Sequence, residues 1–293
     1  MCDQDILDGM ATLKGGINRR QFAHLGVVAG AGATLAACTT TSDAASGGVV
    51  ETAVSFAAPG GTMDGFFYHP ATGKHPAVIM WPDIAGIRDA KKAMARRLAE
   101  AGYAVFLGNP YYRSAPAPQF ADFEDWRAND GFAAVRPWMA QNTPEAIMET
   151  VRAVVGWLDG QAAVDSSRGI GTQGYCMTGS WTIYGLAAVP GRVKAAGSFH
   201  GGGLVGEAAN APVNMFDDVA ADAHALIAIA QNDDANAPDD KVALRASADA
   251  AGLDATIEVY AGDHGWTVLD SPVYNEAEAE RAWANLLALY SQL

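Results

Sequence analysis

The sequence is poor in cysteine. Cys2, Cys38 and Cys176 lie far apart in 293 residues and no CxxC pair occurs. That spacing excludes a zinc knuckle and a disulfide-built scaffold, so each thiol needs its own explanation. Basic residues are scarce as well, with 19 Lys and Arg against 33 Asp and Glu and a formal net charge of -14. Such a surface repels phosphate backbones, which excludes nucleic acid as a partner. No apolar run reaches the roughly 18 to 20 residues of a bilayer-spanning helix. The acids show no metal-ligand spacing and no GxxxxGK[ST] loop is present, so neither a metal nor an organic cofactor is expected. No repeat of 20 to 50 residues appears.

What the sequence has is core-forming material. Half of its residues are hydrophobic and only 18% are charged, enough to bury one large α/β domain or two small ones. Ahead of that material stands an address. Asn18-Arg19-Arg20-Gln21-Phe22 and the Gly- and Ala-rich stretch after it resemble a twin-arginine export signal, and Leu35-Ala36-Ala37-Cys38 resembles a bacterial lipobox whose cysteine is diacylated. The apolar part, Leu25 to Ala37, is too short to cross a bilayer, and Gly26, Gly30 and Gly32 disfavour the alternative of a buried helix. The expectation is an export signal over 1–37, a polar tether over 38–48 and a domain over 49–293. The partners this implies are the twin-arginine export machinery and a membrane reached through a lipid on Cys38, with the domain on the periplasmic side.

From Val49 onward, short β-branched runs alternate with helical periodicity, the pattern of a mostly parallel sheet flanked by helices on both faces. Strands are expected at 51–56, 65–69, 76–81, 103–108, 169–175, 193–199, 225–230 and 255–260. Helices are expected at 87–101, 143–160, 178–189, 239–251 and 276–290, the first carrying Lys91, Lys92, Arg96 and Arg97 on a solvated face. Tyr111 to Asn142 reads as an irregular, aromatic-rich insertion of the kind that covers active sites.

Gly174-Tyr175-Cys176-Met177-Thr178-Gly179 falls between a predicted strand and a predicted helix. A tight turn there exposes the central side chain and aims the following N–H groups at one point, which makes a nucleophile elbow; the competing reading is a buried core cysteine. In the α/β-hydrolase order an acid and then a histidine follow, each at the end of its own strand. Asp233 and Asp234 follow 225–230 and His264 follows 255–260. His200, also at a strand end, is the rival base and reads more readily as structural.

These features resemble the dienelactone hydrolase family over roughly residues 50–293: the Gly-Tyr-Cys-Met-Thr-Gly elbow, Asp233 to Pro238, Ala261-Gly262-Asp263-His264-Gly265-Trp266, and the Pro272 to Ala277 segment leading into a helix. The resemblance implies an α/β-hydrolase fold with about eight strands. It also implies a Cys-His-Asp triad on Cys176, His264 and, by distance to Pro238, Asp234 rather than Asp233. Asp83 stands where family members place an acid near the thiol; capping of the following helix is its other reading. Backbone N–H groups of Ile84 and Met177 are the implied oxyanion hole. The activity implied is hydrolysis of a lactone or small carboxylic ester through a thioester, as in a carboxymethylenebutenolidase. The family's substrate-carboxylate arginine, four residues after the histidine, is Val268 here. Trp266 and Val268 therefore suggest an apolar pocket, with Arg113 and Arg127 as remaining candidates to touch substrate. The alternative from another class is an exported lipoprotein binding or scaffold module that keeps the fold without catalysis.

Overall fold

The computed structural model describes residues 48–293. The expected export signal, the lipidation site Cys38 and almost all of the tether lie outside the described residues.

Eight strands form one sheet: β1 (Val49–Ala58), β2 (Gly61–Pro70), β3 (Ala77–Trp81), β4 (Ala104–Gly108), β5 (Ile170–Tyr175), β6 (Val193–Phe199), β7 (His224–Ala230) and β8 (Asp254–Tyr260). Their order is β1-β2-β4-β3-β5-β6-β7-β8. β1 and β2 are an antiparallel hairpin, β2 meets β4 antiparallel, and every later pairing is parallel. Burial follows position in the sheet. β3, β4 and β5 are buried at every residue, as strands covered on both faces require, whereas the edge strand β8 is buried only at Ile257 and Tyr260. Gly169, Gly171 and Gly174 have the GxGxxG spacing of a dinucleotide fingerprint, but the first precedes β5 and the other two lie within it, not around a turn opening a helix. A side chain on Gly171 would strike the Tyr290 ring at 2.6 Å, so packing explains that glycine.

Among the described residues the α-helices are α1 (Asp89–Glu100), α2 (Phe123–Ala128), α3 (Gly131–Met139), α4 (Pro144–Asp159), α5 (Gly179–Ala188), α6 (Gln231–Asn236), α7 (Asp240–Ala251) and α8 (Glu276–Tyr290). In α4 the Thr143 side chain accepts from Ala146 N, Pro144 sits at the first turn, and Ile147, Val151, Val154, Val155 and Leu158 make one buried stripe. That stripe joins α5 and α7 in the core on one face of the sheet, while α1 and α8 pack on the other. The expected strands and long helices are present within a few residues. Two expectations fail. The 111–142 insertion holds two short helices, α2 and α3, and Lys91, placed on the wet side of α1, is fully buried because a carboxylate waits beneath it.

Candidate active site

β5 ends at Tyr175, and Cys176 turns the chain into a single 3-10 turn ahead of α5. Cys176 has φ +55°, a left-handed conformation costly for any residue with a Cβ and held only where surroundings over-determine it. Those surroundings are specific. Thr178 Oγ1 accepts from Tyr175 N at 3.0 Å and lies 2.9 Å from the Pro82 carbonyl, which ties the elbow to the loop after β3. Gly174 is required because a Cβ there would stand 2.1 Å from the Thr178 carbonyl oxygen. The Cys176 carbonyl accepts from Gly202 N at 3.0 Å, and the thiol-bearing residue is half-buried at the strand ends.

His264 lies in the loop after β8, where Gly265 takes φ +108° to turn the chain away. Its backbone N–H donates to Asn232 Oδ1 at 2.8 Å, and its Nδ1 is 2.7 Å from Asp233 Oδ2. An ionised carboxylate can only accept, so Nδ1 carries the proton and Nε2 is left as the basic nitrogen. The aspartate chosen from spacing is corrected here. Asp234 is held by Lys241 Nζ at 2.5 and 2.7 Å, not by His264. Both acids lie in α6, where neighbours diverge by about 100° around the axis, so only one of them can face the histidine.

On the eight-stranded sheet the cysteine elbow is thus followed in chain order by an aspartate and then by the histidine bonded to it. The model of the Dienelactone hydrolase family matches residues 63–293. This chain belongs to the dienelactone hydrolase family. A Synechocystis protein named "Putative carboxymethylenebutenolidase" is 26% identical over 232 residues, covering 77% of this chain and 90% of that one. A Salmonella typhi protein of the same name is 28% identical over 244 residues, covering 81% and 86%. Among solved structures, one titled as a putative dienelactone hydrolase from Klebsiella pneumoniae superposes with a TM-score of 0.71 at 24% identity, covering 84% of this chain and 99% of its own. A dienelactone hydrolase-like promiscuous phosphotriesterase from metagenomic libraries gives 0.63 at 20% identity, covering 84% and 99%. The protein is thus a hydrolase of the α/β-hydrolase fold.

Beneath its elbow lies a buried charge cluster that the sequence did not disclose. Arg88 places Nη1 and Nη2 2.8 and 3.0 Å from the two oxygens of Asp83, and Nε and Nη2 2.7 and 2.9 Å from those of Asp270; Nη1 also reaches the Gly86 carbonyl at 3.1 Å. Lys91 Nζ is 3.0 Å from Asp83 and 3.9 Å above the Tyr175 ring. Burial pushes the Asp83 carboxyl up, but Arg88 and Lys91 together outweigh it and hold the acid below the usual carboxylate range. Burial dominates at Lys91 and lowers it to about 8 against the pull of Asp83. Asp83 therefore belongs to this cluster; it accepts from Ala85 N at 3.0 Å within its own loop and does not cap α1, whose N-cap residue is Arg88. Asp270 Oδ2 accepts from Phe123 N at 3.0 Å, so one arginine links the loop after β3, the loop after His264 and the start of α2.

Ile84 and Met177, whose amides are the expected oxyanion donors, are joined by Tyr111. Its hydroxyl donates to the Ile84 carbonyl at 2.7 Å and lies 3.5 Å from the Met177 sulfur. His200, the rival base, is buried with φ +39° and its ring edge packs on His264 at 4.8 Å between centroids. Its Nε2 is 3.2 Å from Thr267 Oγ1, while Nδ1 is buried without a hydrogen-bond partner, so it is less satisfied than a structural histidine should be. Burial first, then the neighbouring His264, lower its pKa well below the ordinary value, which keeps it neutral.

The expected substrate contacts fare differently. Arg113 donates from Nη2 to the Ala146 carbonyl and to Thr150 Oγ1, both at 2.8 Å, and is held against α4. Arg127 is exposed on α2, beside buried Trp126. Trp266 is wholly buried, stacked on Tyr260 at 5.2 Å and edge-on to His200 at 5.2 Å, so it backs the histidines and does not line a pocket. What stands over the elbow is the insertion: Phe123, Trp126, Phe132, Trp138 and Met139 pack with Ile84, Tyr111 and Met177 in one cluster.

Proposed function

We propose that this hydrolase cleaves a lactone or small carboxylic ester with Cys176 as nucleophile, His264 as base and Asp233 as the acid that orients it. The observation that carries the reading is the Cys176 backbone at φ +55° at a strand-to-helix turn, in a fold whose His264 is tied to Asp233 at 2.7 Å. The family's relatives named for carboxymethylenebutenolidase activity support the substrate class.

A cysteine thiol in water has a pKa of about 8.5, so at neutral pH a base must take its proton as sulfur attacks the carbonyl carbon. His264 Nε2 receives it, and Asp233 stabilises the imidazolium through Nδ1–H. The carbonyl oxygen becomes an oxyanion facing the amides of Ile84 and Met177, at the positive end of α5. The C–O bond breaks, the leaving oxygen takes the proton from His264, and a thioester to Cys176 remains. Water, deprotonated by the same nitrogen, attacks that thioester and returns the thiol.

The address belongs to the same proposal. The twin arginine at 19 and 20 and the Leu-Ala-Ala-Cys run ending at Cys38 support export and lipid anchoring on the periplasmic side, tested by whether Cys38→Ala moves the protein from the membrane to the soluble fraction of cells. For the chemistry, hydrolysis of dienelactone and p-nitrophenyl butyrate is followed before and after iodoacetamide treatment. The expected result is turnover that is lost on alkylation and absent from Cys176→Ala. Undiminished turnover in Cys176→Ala overturns the nucleophile. An unreactive Cys176 with no turnover on either ester favours the binding-module alternative.

A further inference from the structure

We infer that His200 is a positioning residue for the base: its buried imidazole is a wedge that fixes the ring plane of His264, so that Nδ1 stays on Asp233 while Nε2 is presented to the thiol. The inference rests on the hydrolase reading above and adds a fourth side chain to its machinery.

The 2.7 Å bond from Nδ1 to Asp233 fixes one corner of the His264 ring but not its plane, because the torsion that turns an imidazole about its Cβ–Cγ bond is broad. A tilt about that corner moves the basic nitrogen, and displacements of about 1 Å are costly in rate. What opposes the tilt is packing. The His200 ring stands 4.8 Å from that of His264 between centroids with the planes at 61°, an edge-to-face contact. Both residues are buried, at 1% and 7% exposure, so neither ring turns without displacing the other.

The wedge is itself held from several sides. His200 N donates to the Ala228 carbonyl of β7 at 2.8 Å, Nε2 is 3.2 Å from Thr267 Oγ1, and Trp266 stands edge-on at 5.2 Å. Trp266 and Thr267 belong to the loop that carries His264, whereas Gly202, two residues after His200, donates its N–H to the Cys176 carbonyl at 3.0 Å. The loop after β6 therefore grips the base loop by a side chain and the elbow by its backbone. The position is a costly one for a histidine. Its φ of +39° is left-handed, and Nδ1 is buried without a hydrogen-bond partner. A ring that served the core alone would meet neither cost, which points to the site beside it. His200 is not the base itself: Nε2 faces a hydroxyl, and among the described residues neither of its nitrogens is bonded to a carboxylate that would stabilise an imidazolium. The charged groups acting on it are His264, Lys91 and Asp83, and Asp83 is bonded to Arg88 and Lys91.

The test follows p-nitrophenyl butyrate hydrolysis by His200→Asn, which tolerates the left-handed backbone, and by Thr267→Val and Thr267→Ser, with Cys176→Ala as background. His264 serves acylation and deacylation alike, so a loosened base should lower kcat by about tenfold to 100-fold in His200→Asn while KM changes by less than about threefold. Thr267→Val should lose about twofold to tenfold in kcat, the worth of one neutral hydrogen bond, and Thr267→Ser, which keeps the hydroxyl, should restore it. Action through His264 has a further signature. In an Asp233→Asn background, where the base is already misaligned, His200→Asn should cost less than about threefold more. Additive losses in the double variant, or a parental kcat in His200→Asn, overturn the inference and leave the hydrolase reading standing. A loss in His200→Asn as deep as that in Cys176→Ala also overturns it, since a group that only orients the base leaves residual turnover. Should His200→Asn not fold, the Thr267 pair decides, and equal kcat in the Val and Ser variants overturns the inference. Absence of Cys176-dependent turnover in the parent overturns the hydrolase reading and this inference with it.

Discussion

Asp233 and Asp234 are adjacent, chemically identical and only 100° apart on a helix turn, yet they have opposite employment. One fixes the tautomer of His264 and the other neutralises Lys241. Asp233→Asn should leave the fold intact and reduce kcat by about 10³ to 10⁴, because an amide can donate to Nδ1 and so present the wrong tautomer. Asp234→Asn should change kcat by less than about threefold and cost no more than roughly 1 kcal/mol, the worth of a partly exposed ion pair. Steady-state rates on p-nitrophenyl butyrate distinguish the two, and equal losses would show that spacing to Pro238 had been the better guide. The places of Cys176 and His264 at strand ends were legible in the sequence, because the strands before them leave readable apolar runs. The aspartate was not, because its identity depends on the phase of a six-residue helix that the sequence shows only as a turn.

At the scale of elements, Arg88 is the joint on which three loops meet, and no motif announces it. It stands outside the α1 stripe, its partners are 5 and 182 residues away, and a lone arginine before a basic helix reads as surface charge. Only the fold reveals that Asp83 and Asp270 converge on it. Removing one member of a buried ion cluster leaves the others uncompensated, so Arg88→Met should destabilise the protein by about 3 to 5 kcal/mol in urea unfolding. Asp270→Ala is the gentler probe, since Asp270 is partly exposed. Losing the Phe123 N–H acceptor should free the start of α2 and raise the rate of limited proteolysis within 111–142, with the sheet untouched. An unchanged cleavage pattern would mean that the hydrophobic cluster alone holds the insertion.

For the whole molecule, the sheet and its helices were readable because parallel strands buried on both faces leave continuous apolar runs, and capped helices leave periodic ones. The buried charges beneath the elbow were not, since a lysine on a helix carries no mark of what waits opposite it. Those charges and the buried His200 set the response of the entire fold to acid. His200 has a depressed pKa in the folded state, so as pH falls below about 6.5 the unfolded chain takes up a proton that the folded one refuses, and stability is lost. Asp83 is also depressed, so its contribution is complete above its unfolded value of about 3.9 and is lost as pH falls through that value toward the lower folded one. Unfolding free energies from urea titrations should therefore decline from about pH 6.5 with a limiting slope near 1.4 kcal/mol per pH unit, then more steeply below about 4. His200→Asn is suited to the comparison because Asn tolerates the left-handed φ of +39°. In that variant the upper window should flatten while the lower one persists. A decline between pH 6.5 and 5 that survives the substitution would assign the first window to another group, and with it remove His200 from the acid response.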